Sequence, residues 1–171
     1  MRLRTLDDLG DVAGKTVFLR ADFNVPLEGG KVADDTRIRA TLPTITELME
    51  RGAHLVIASH LGRPKGKVKE ELGMGPVRAR LEELLDREVH AIPFPGEAAA
   101  EGLAIDLAEL DEGPGAPPVV ALLENLRFDA REEANDTAFA GELAAFADAY
   151  VDDAFGAAHR GHASVSALTE L

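Results

Sequence analysis

The chain has 171 residues, with 18 basic and 31 acidic side chains and therefore a formal net charge of −13. Such acidity disfavours binding to nucleic acid or to an anionic membrane surface, and the lack of cysteine excludes disulfides, thiolate metal sites and cysteine nucleophiles. The length, with 46% hydrophobic and 29% charged residues, is typical of a single globular domain with a substantial core.

The first third of the chain predicts two strands with a turn after the first. Residues 16–20 form a β-branched, apolar run, and turn-forming residues follow at 24–26 and at Gly29 and Gly30. Residues 54–59 form a second apolar run, which predicts a buried strand.

A helix is predicted between these two strands. Residues 36–51 carry apolar side chains at steps of three and four, which place them on one helix face. Asp34 and Asp35 stand where N-caps occur, and Gly52 stands where a helix commonly stops. Pro43 lies inside the segment and argues against one straight helix.

The rest of the chain continues the alternation of helices and strands around a stiff loop at 113–118. Helices are predicted at 75–85, 96–110 and 136–146, and strands at 89–94, 119–123 and 149–151. Strands and helices therefore alternate about five times. This pattern favours an α/β fold of one lobe, in which a parallel sheet carries helices on both faces as a Rossmann-like three-layer sandwich.

An arginine follows each of four predicted strands, and ligands of such sheets bind beyond the carboxyl ends of the strands. The four are Arg20, Arg63, Arg127 and Arg160. Guanidinium groups gathered at one edge repel one another unless an anion lies between them, and they match phosphate or carboxylate oxygens two at a time. The sequence therefore favours a site for a small, multiply charged anion. The alternative is four separate surface salt bridges to the abundant acidic residues.

Three polar residues stand close to these arginines in the sequence. Asp22 and Asn24 lie two apart in a turn, so both can hydrogen-bond one hydroxyl of a ligand; alternatively, Asp22 pairs with Arg20 and Asn24 caps the turn. His60 follows an apolar strand and precedes a Gly-Arg-Pro turn, where it either contacts the ligand or has a structural role.

Two stretches resemble nucleotide-binding loops but lack required residues. Residues 62–68 have three residues between their glycines instead of the four of a Walker A loop, and Val68 stands where Ser or Thr would bind magnesium. Residues 73–78 begin like a dinucleotide fingerprint, but Arg78 replaces its third small residue. A dehydrogenase domain is therefore disfavoured, and no histidine pair has the spacing of a zinc site.

Four segments together resemble motifs of the phosphoglycerate kinase family. They are RADFNVP at 20–26, SHLGRPKG at 59–66, ENLRF at 124–128 and DAFGAAHR at 153–160, in the family's order and at suitable spacing. The resemblance covers residues 5–165. It implies a parallel α/β fold and reversible phosphoryl transfer between ATP and the carboxylate of 3-phosphoglycerate, which gives 1,3-bisphosphoglycerate and ADP in glycolysis and gluconeogenesis.

The resemblance further implies that residues 1–171 are the family's N-terminal, substrate-binding domain. Carried over by motif, the residues expected to line or hold 3-phosphoglycerate are Arg20, Asp22, Phe23, Asn24, Arg37, His60, Leu61, Gly62, Arg63, Arg127 and Arg160. Arg37 matches the arginine that the family directs at the phosphoryl group in transfer, and it is the expected catalytic residue. Its alternative role is an ion pair with Asp34 or Asp35 in the first turn of the helix.

The family binds Mg-ATP or Mg-ADP on a C-terminal nucleotide-binding domain, and the Gly-rich loop and acidic residue of that domain do not occur in residues 1–171. The resemblance therefore implies that this chain binds neither metal nor nucleotide by itself and does not turn over alone. Asp152 stands where the family commonly has Asn. The expected partners are 3-phosphoglycerate, 1,3-bisphosphoglycerate and the nucleotide-binding lobe. The alternative function is a non-catalytic anion-binding module derived from the same lobe.

The sequence carries no signal for export or membrane insertion. No apolar run approaches the roughly 20 residues of a membrane helix, and acidic residues near the N-terminus occupy the place of a signal peptide's apolar stretch. We expect a cytoplasmic, monomeric protein that binds neither membranes nor nucleic acid.

Overall fold

The fold is described by a computed structural model of residues 2, 4–93, 110 and 112–171. Its strands are β1 (Thr16–Arg20), β2 (Leu27–Glu28), β3 (Lys31–Val32), β4 (His54–Ala58), β5 (His90–Ile92), β6 (Val120–Leu123) and β7 (Ala149–Asp152). Within these described residues, five strands form one parallel sheet in the order β5-β6-β4-β1-β7, whereas β2 and β3 form an antiparallel hairpin. The predicted parallel α/β architecture is therefore confirmed.

Helices cover both faces of the sheet, as predicted. They are α1 (Thr36–Glu50), α2 (Gly75–Leu85), α3 (Ala130–Glu133) and α4 (Thr137–Ala144), with 3₁₀ turns at Leu6–Leu9, Glu70–Leu72, Leu126–Phe128 and Ala167–Glu170. Successive side chains of a strand point to opposite faces. In β4, Leu55 and Ile57 therefore pack in one core with Leu48 of α1, whereas Val56 packs in a second core with Phe139 of α4.

The central strands are buried along their whole length, which explains why the sequence shows apolar runs instead of alternation. All residues of β4 and β6 are buried. A parallel sheet with both faces covered requires apolar side chains on each face. The same geometry sets the register, which places Arg20 at the end of β1 beside Ala58 of β4 and Asp152 of β7. The carboxyl ends of these strands thus meet at one edge.

The helix α1 runs without interruption across Pro43, although the proline argued against one straight helix. Pro43 is an exposed residue of the helix, and so is Arg39, whose carbonyl would otherwise accept the N–H that proline lacks. At the start of the helix the carboxylate of Asp34 accepts the N–H of Thr36 at 2.9 Å, whereas the carboxylate of Asp35 makes no such cap. Gly52 follows the end of the helix with φ +83°, as predicted.

The remaining predictions of secondary structure agree with the structure apart from two segments. A strand was predicted at 89–94, and the structure has the shorter strand His90–Ile92; residue 94 lies outside the described residues. The helix predicted at 96–110 also lies outside them, except for Leu110. In the part of the chain that the structure describes, no helix is long and apolar enough to cross a membrane.

The loop after β4 lies directly on the start of α3. The N–H of Gly66 donates to the carbonyl of Arg127 at 3.2 Å. A Cβ added to Gly66 would lie 2.7 Å from the Cβ of Ala130 and 2.9 Å from its Cα, and the φ of Gly66 is +72°. Both the backbone conformation and the space therefore require glycine here.

Gly66→Ala is expected to destabilise the protein more than Gly30→Ala, which serves as the matched control. Gly30 has nearly the same φ, +73°, but its added Cβ would meet nothing within 4 Å. Gly30→Ala should therefore lower the free energy of unfolding by about 1–2 kcal/mol through backbone strain alone. Gly66→Ala should lower it by about 1–3 kcal/mol more, because the new methyl overpacks against Ala130. Urea unfolding measures both, and equal losses would contradict the contact.

Candidate functional site

The carboxyl edge of the sheet gathers the four segments that the sequence singled out. Residues 20–26 follow β1, 59–66 follow β4, 124–128 follow β6 and 153–160 follow β7. These four strands are neighbours in the sheet. The edge therefore carries the predicted arginines. The burial and the hydrogen-bond partners of each guanidinium determine which of them can bind a ligand.

Arg20 is fully buried, with a relative exposure of 0%. Its Nε donates to Ser164 Oγ at 2.9 Å and its Nη1 donates to the carbonyl of Ala21. Its Nη2 lies 3.0 Å from His60 Nδ1. Burial lowers the pKa of Arg20, and the nearby carboxylate of Glu132 opposes this effect. Arginine stays protonated in proteins, so Arg20 is a buried cation that donates a hydrogen bond to His60.

His60 is 6% exposed and stays neutral. Burial lowers its pKa from 6.5 to about 3, and the positive charge of Arg20 contributes next. A guanidinium is always a hydrogen-bond donor. The contact from Arg20 therefore requires that Nδ1 of His60 be the acceptor, which leaves the ring proton on Nε2.

Arg127 is buried but incompletely paired. Its Nη1 donates to the carbonyl of Gly62 at 3.3 Å, whereas its Nε has no hydrogen-bond partner among the described residues and lies 3.8 Å from a carboxylate oxygen of Glu133. Burial lowers the pKa of Arg127; Glu133 opposes this effect, and Arg160 adds to it. A buried donor of this kind is costly to leave unpaired, which favours a site for an external acceptor.

Arg160 and His162 lie beside Arg127 and His60. Burial lowers the pKa of His162, and the positive charges of Arg127 and Arg160 lower it further. Within the described part of the chain, Nδ1 of His162 is buried without a hydrogen-bond partner. We call the set Arg20, His60, Arg127, Arg160 and His162 the basic cluster.

Arg63 and Arg160 are both exposed, and neither side chain makes a hydrogen bond or ion pair with a described residue. Arg20 likewise has no carboxylate oxygen of a described residue within 4.0 Å. Of the four predicted arginines, only Arg127 makes an ion pair with a described residue, at 3.8 Å from Glu133. The alternative of four separate surface salt bridges is therefore wrong for the described residues. The charges of Arg20 and Arg160 both act on Arg127, whereas no hydrogen bond or ion pair joins Arg63 to the other three.

Arg37, Asp22 and Asn24 form a second, more exposed group. Nη1 of Arg37 lies 3.2 Å and 3.4 Å from the two carboxylate oxygens of Asp22 and donates to the carbonyl of Asn24 at 3.1 Å. The alternatives that paired Arg37 with Asp34 or Asp35, and Asp22 with Arg20, are therefore wrong. Oδ1 of Asn24 accepts the N–H of Gly62 at 2.9 Å, which ties the turn to the loop after β4.

The side chains of Phe23 and Leu61 belong to the core, with exposures of 0% and 2%. The N–H of Phe23 donates to Ser59 Oγ at 2.8 Å. The side-chain amide of Asn125 makes two hydrogen bonds to the backbone of Leu61. Its Oδ1 accepts the N–H of Leu61 at 3.2 Å, and its Nδ2 donates to the carbonyl of Leu61 at 2.8 Å. Their predicted contacts with a ligand are therefore limited to backbone atoms, because core packing takes up both side chains.

Sequence reasoning missed four polar residues that build this edge: Asn125, Glu132, His162 and Ser164. Glu132 and Ser164 are both fully buried. Glu132 stands beside Glu133 in a charged helical segment, and nothing in the sequence distinguishes the buried carboxylate from the exposed one. Among the described residues, no group of three His, Asp or Glu side chains could hold a metal ion.

Comparisons with known proteins identify one family. A family model described as phosphoglycerate kinase matches residues 6–171. The chain is 53% identical to the phosphoglycerate kinase of Thermomicrobium roseum over 169 residues, which cover 99% of this chain and 41% of that protein. It is 53% identical to that of Moorella thermoacetica over 164 residues, which cover 96% of this chain and 39% of that protein. The chain thus spans about two fifths of these relatives.

Solved structures agree with the fold. The structure of phosphoglycerate kinase from Pyrococcus horikoshii matches with a TM-score of 0.76 and 36% identity, over 95% of this chain and 39% of that one. The structure from Coxiella burnetii matches with a TM-score of 0.72 and 37% identity, over 90% of this chain and 36% of that one. The sheet and its arrangement of segments are therefore shared with these enzymes.

The depressed pKa of His60 predicts a loss of stability in mild acid. The unfolded chain takes up this proton near pH 6.5, whereas the folded chain takes it up only near pH 3, because the site is buried and faces Arg20, Arg127, His162 and Arg160. Between these values the unfolded state binds more protons, so stability falls as the pH falls. His60 should contribute a loss of about 2 kcal/mol between pH 6.5 and pH 5.

His60→Asn is the control, because its amide oxygen can still accept from Arg20 but does not titrate. The free energy of unfolding, measured by urea across this range, should fall less steeply for the variant than for the native chain. The same slope for both would mean that His60 titrates normally.

Proposed function

The chain belongs to the phosphoglycerate kinase family, and on that basis we propose that its carboxyl edge binds 3-phosphoglycerate. The observation that carries the proposal is an excess of unpaired positive charge. Nε of Arg127 has no hydrogen-bond partner among the described residues, and Arg63 and Arg160 are exposed without one. In a protein with a net charge of −13, such charge favours a phosphate, whose oxygens match guanidinium forks.

The proposed reaction is reversible phosphoryl transfer between ATP and the carboxylate of 3-phosphoglycerate. A carboxylate is already ionised at neutral pH, so the attacking group needs no general base. This requirement agrees with a site whose histidine, His60, is neutral and held by Arg20. What the reaction does need is fixed positive charge for the phosphoryl oxygens.

Arg37 is proposed to supply that charge. In this structure its guanidinium is paired with Asp22, and its side chain is 54% exposed. An exposed ion pair of this kind contributes at most about 1 kcal/mol. A phosphoryl group can therefore compete with Asp22 for the guanidinium, whereas the buried contacts of Arg20 stay in place.

The nucleotide site is proposed to lie in the part of the relatives that this chain does not span. Residues 1–171 contain no Walker A loop and no dinucleotide fingerprint. Mg-ATP or Mg-ADP would supply or accept the phosphoryl group there, and the nucleotide-binding lobe is then the partner of this one. Cytoplasmic location and a monomeric state stay predictions.

Calorimetry with 3-phosphoglycerate tests the binding site. We expect Arg63→Gln, Arg127→Gln and Arg160→Gln each to weaken binding by about tenfold to a hundredfold, the usual value of a hydrogen bond to a charged group. Arg63 and Arg160 are exposed and make no side-chain hydrogen bond or ion pair with a described residue, so these two substitutions break no such bond of the fold. Arg2→Gln is the control, because Arg2 is 83% exposed and pairs with Asp8.

Two results would argue against this assignment. Unchanged affinity in all three variants would mean that the ligand binds elsewhere. Inorganic phosphate bound as tightly as 3-phosphoglycerate would favour the alternative of a general anion-binding module.

A polypeptide of these 171 residues is expected to bind 3-phosphoglycerate without phosphorylating it. With Mg-ATP and 3-phosphoglycerate, a coupled assay for 1,3-bisphosphoglycerate should give no signal above that of a sample without protein. The physical reason is that the transferring phosphoryl group must be held in line with the carboxylate, and this part of the chain carries no nucleotide loop. Formation of 1,3-bisphosphoglycerate by the pure polypeptide would contradict the proposal that the nucleotide site lies outside these residues.

A further inference from the structure

A buried carboxylate lies behind the basic cluster and has no role in the proposed reaction. Glu132 is 0% exposed. Its Oε2 accepts the N–H of Ser164 at 3.0 Å, and its Oε1 accepts the hydroxyl of the same residue. The hydroxyl proton is thereby committed to Glu132, so a lone pair of Ser164 Oγ is free to accept Nε of Arg20 at 2.9 Å.

The hydrogen bonds continue in one direction from this point. Arg20 donates from Nη2 to Nδ1 of His60 at 3.0 Å. Because Nδ1 accepts, the ring proton of His60 must be on Nε2. A chain of three side-chain hydrogen bonds thus runs from Glu132 through Ser164 and Arg20 and ends on an imidazole whose tautomer it defines.

Two further hydrogen bonds dock the segment that carries Ser164 without using the carboxylate of Glu132. The N–H of Ala163 donates to the backbone carbonyl of Glu132 at 2.8 Å, and the N–H of Ala167 donates to Oδ1 of Asn135 at 3.0 Å. Neither bond involves the carboxylate. Burial raises the pKa of Glu132, although Ser164 and Arg20 favour its ionised form. Burying a charged carboxylate costs free energy, so the presence of Glu132 at this position calls for an explanation other than stability.

We propose that Glu132 is a positioning residue of the anion site: through Ser164 and Arg20 it fixes His60 as the tautomer that donates from Nε2. The identity of the ligand rests on the function proposed above, whereas the hydrogen-bond chain exists without ligand. The consequence for binding is that Nε2 of the neutral His60 can donate a hydrogen bond to an anionic ligand. In the other tautomer, Nε2 would be unprotonated and would repel the oxygens of the ligand.

The tautomer of His60 is measured directly by ¹⁵N NMR of the ligand-free protein at neutral pH. We expect a single Nε2–H tautomer in the native chain. Glu132→Gln keeps one acceptor oxygen and replaces the other with an NH2 group, so it removes one of the two bonds to Ser164 and leaves Arg20 as an unbalanced buried cation. We expect this variant to give a mixture of the two tautomers. Ser164→Ala is the second variant: it keeps both charges and removes the link between them, so it tests the chain even where Glu132→Gln fails to fold.

Tyr150→Phe is the matched control for local stability. The hydroxyl of Tyr150 donates to the backbone carbonyl of Ser164 at 2.8 Å, and this bond is not part of the chain to His60. We expect Tyr150→Phe to lower the melting temperature and to leave the tautomer unchanged. Glu132→Gln and Ser164→Ala should each weaken 3-phosphoglycerate binding about tenfold. Because both substitutions act on the same guanidinium, the double variant should lose no more affinity than the single variant with the larger loss.

The outcomes separate this inference from the proposed function. A folded Ser164→Ala protein in which His60 keeps a single Nε2–H tautomer would overturn the inference, whatever the ligand. Mixed tautomers in a native-like variant, together with a native chain that binds no 3-phosphoglycerate, would support the hydrogen-bond chain and refute the ligand. Mixed tautomers in Tyr150→Phe would overturn the inference too, since any local weakening would then suffice.

Discussion

The structure depends on how an acidic protein keeps positive charge at one edge of a sheet. Arg20 is buried and balanced by Glu132 through Ser164, and Arg127 is buried with Glu133 only at 3.8 Å. Arg160 adds positive charge beside Arg127 without a carboxylate partner of its own among the described residues. Arg20 is thus balanced by a buried carboxylate, whereas no carboxylate lies within hydrogen-bond distance of Arg127 or Arg160 among the described residues. These unpaired guanidinium groups favour the proposed anion site over a set of ion pairs.

The fold makes that arrangement possible because a parallel sheet brings distant segments to one place. Register places Arg20 beside Ala58 and Asp152, so the loops after β1, β4 and β7 start side by side. Cores on both faces hold the strands rigidly, with β4 buried throughout. The loops themselves are fixed by side chains, since Asn125 holds Leu61 from both sides. The backbone of these loops is therefore held without a ligand, which would reduce the entropy lost when the proposed phosphate ligand binds.

The sequence was sufficient to predict the sheet, most of its helices and the edge where the arginines lie. Those predictions rest on local periodicity and on the rule that parallel strands end together. It was not sufficient to predict that Arg20 is buried, because its partner Ser164 is 144 residues away. Nor could it distinguish Glu132 from Glu133, which differ only in the tertiary packing of α3. Likewise, the pairing of Arg37 with Asp22 spans 15 residues and a hairpin, whereas the nearer Asp34 and Asp35 looked equally suitable.

Two kinds of charge pair therefore serve different purposes at this edge. The chain from Glu132 to Arg20 is buried, and removing one partner from a buried pair is strongly destabilising, so its geometry is constant. The pair of Arg37 with Asp22 is more than half exposed on the arginine side, and such pairs are weak. In the proposed function, a phosphoryl group would draw Arg37 from its carboxylate without disturbing Arg20. The proposed transfer needs both kinds of charge: charges that stay fixed to hold the substrate, and one that is free to follow the group in transfer.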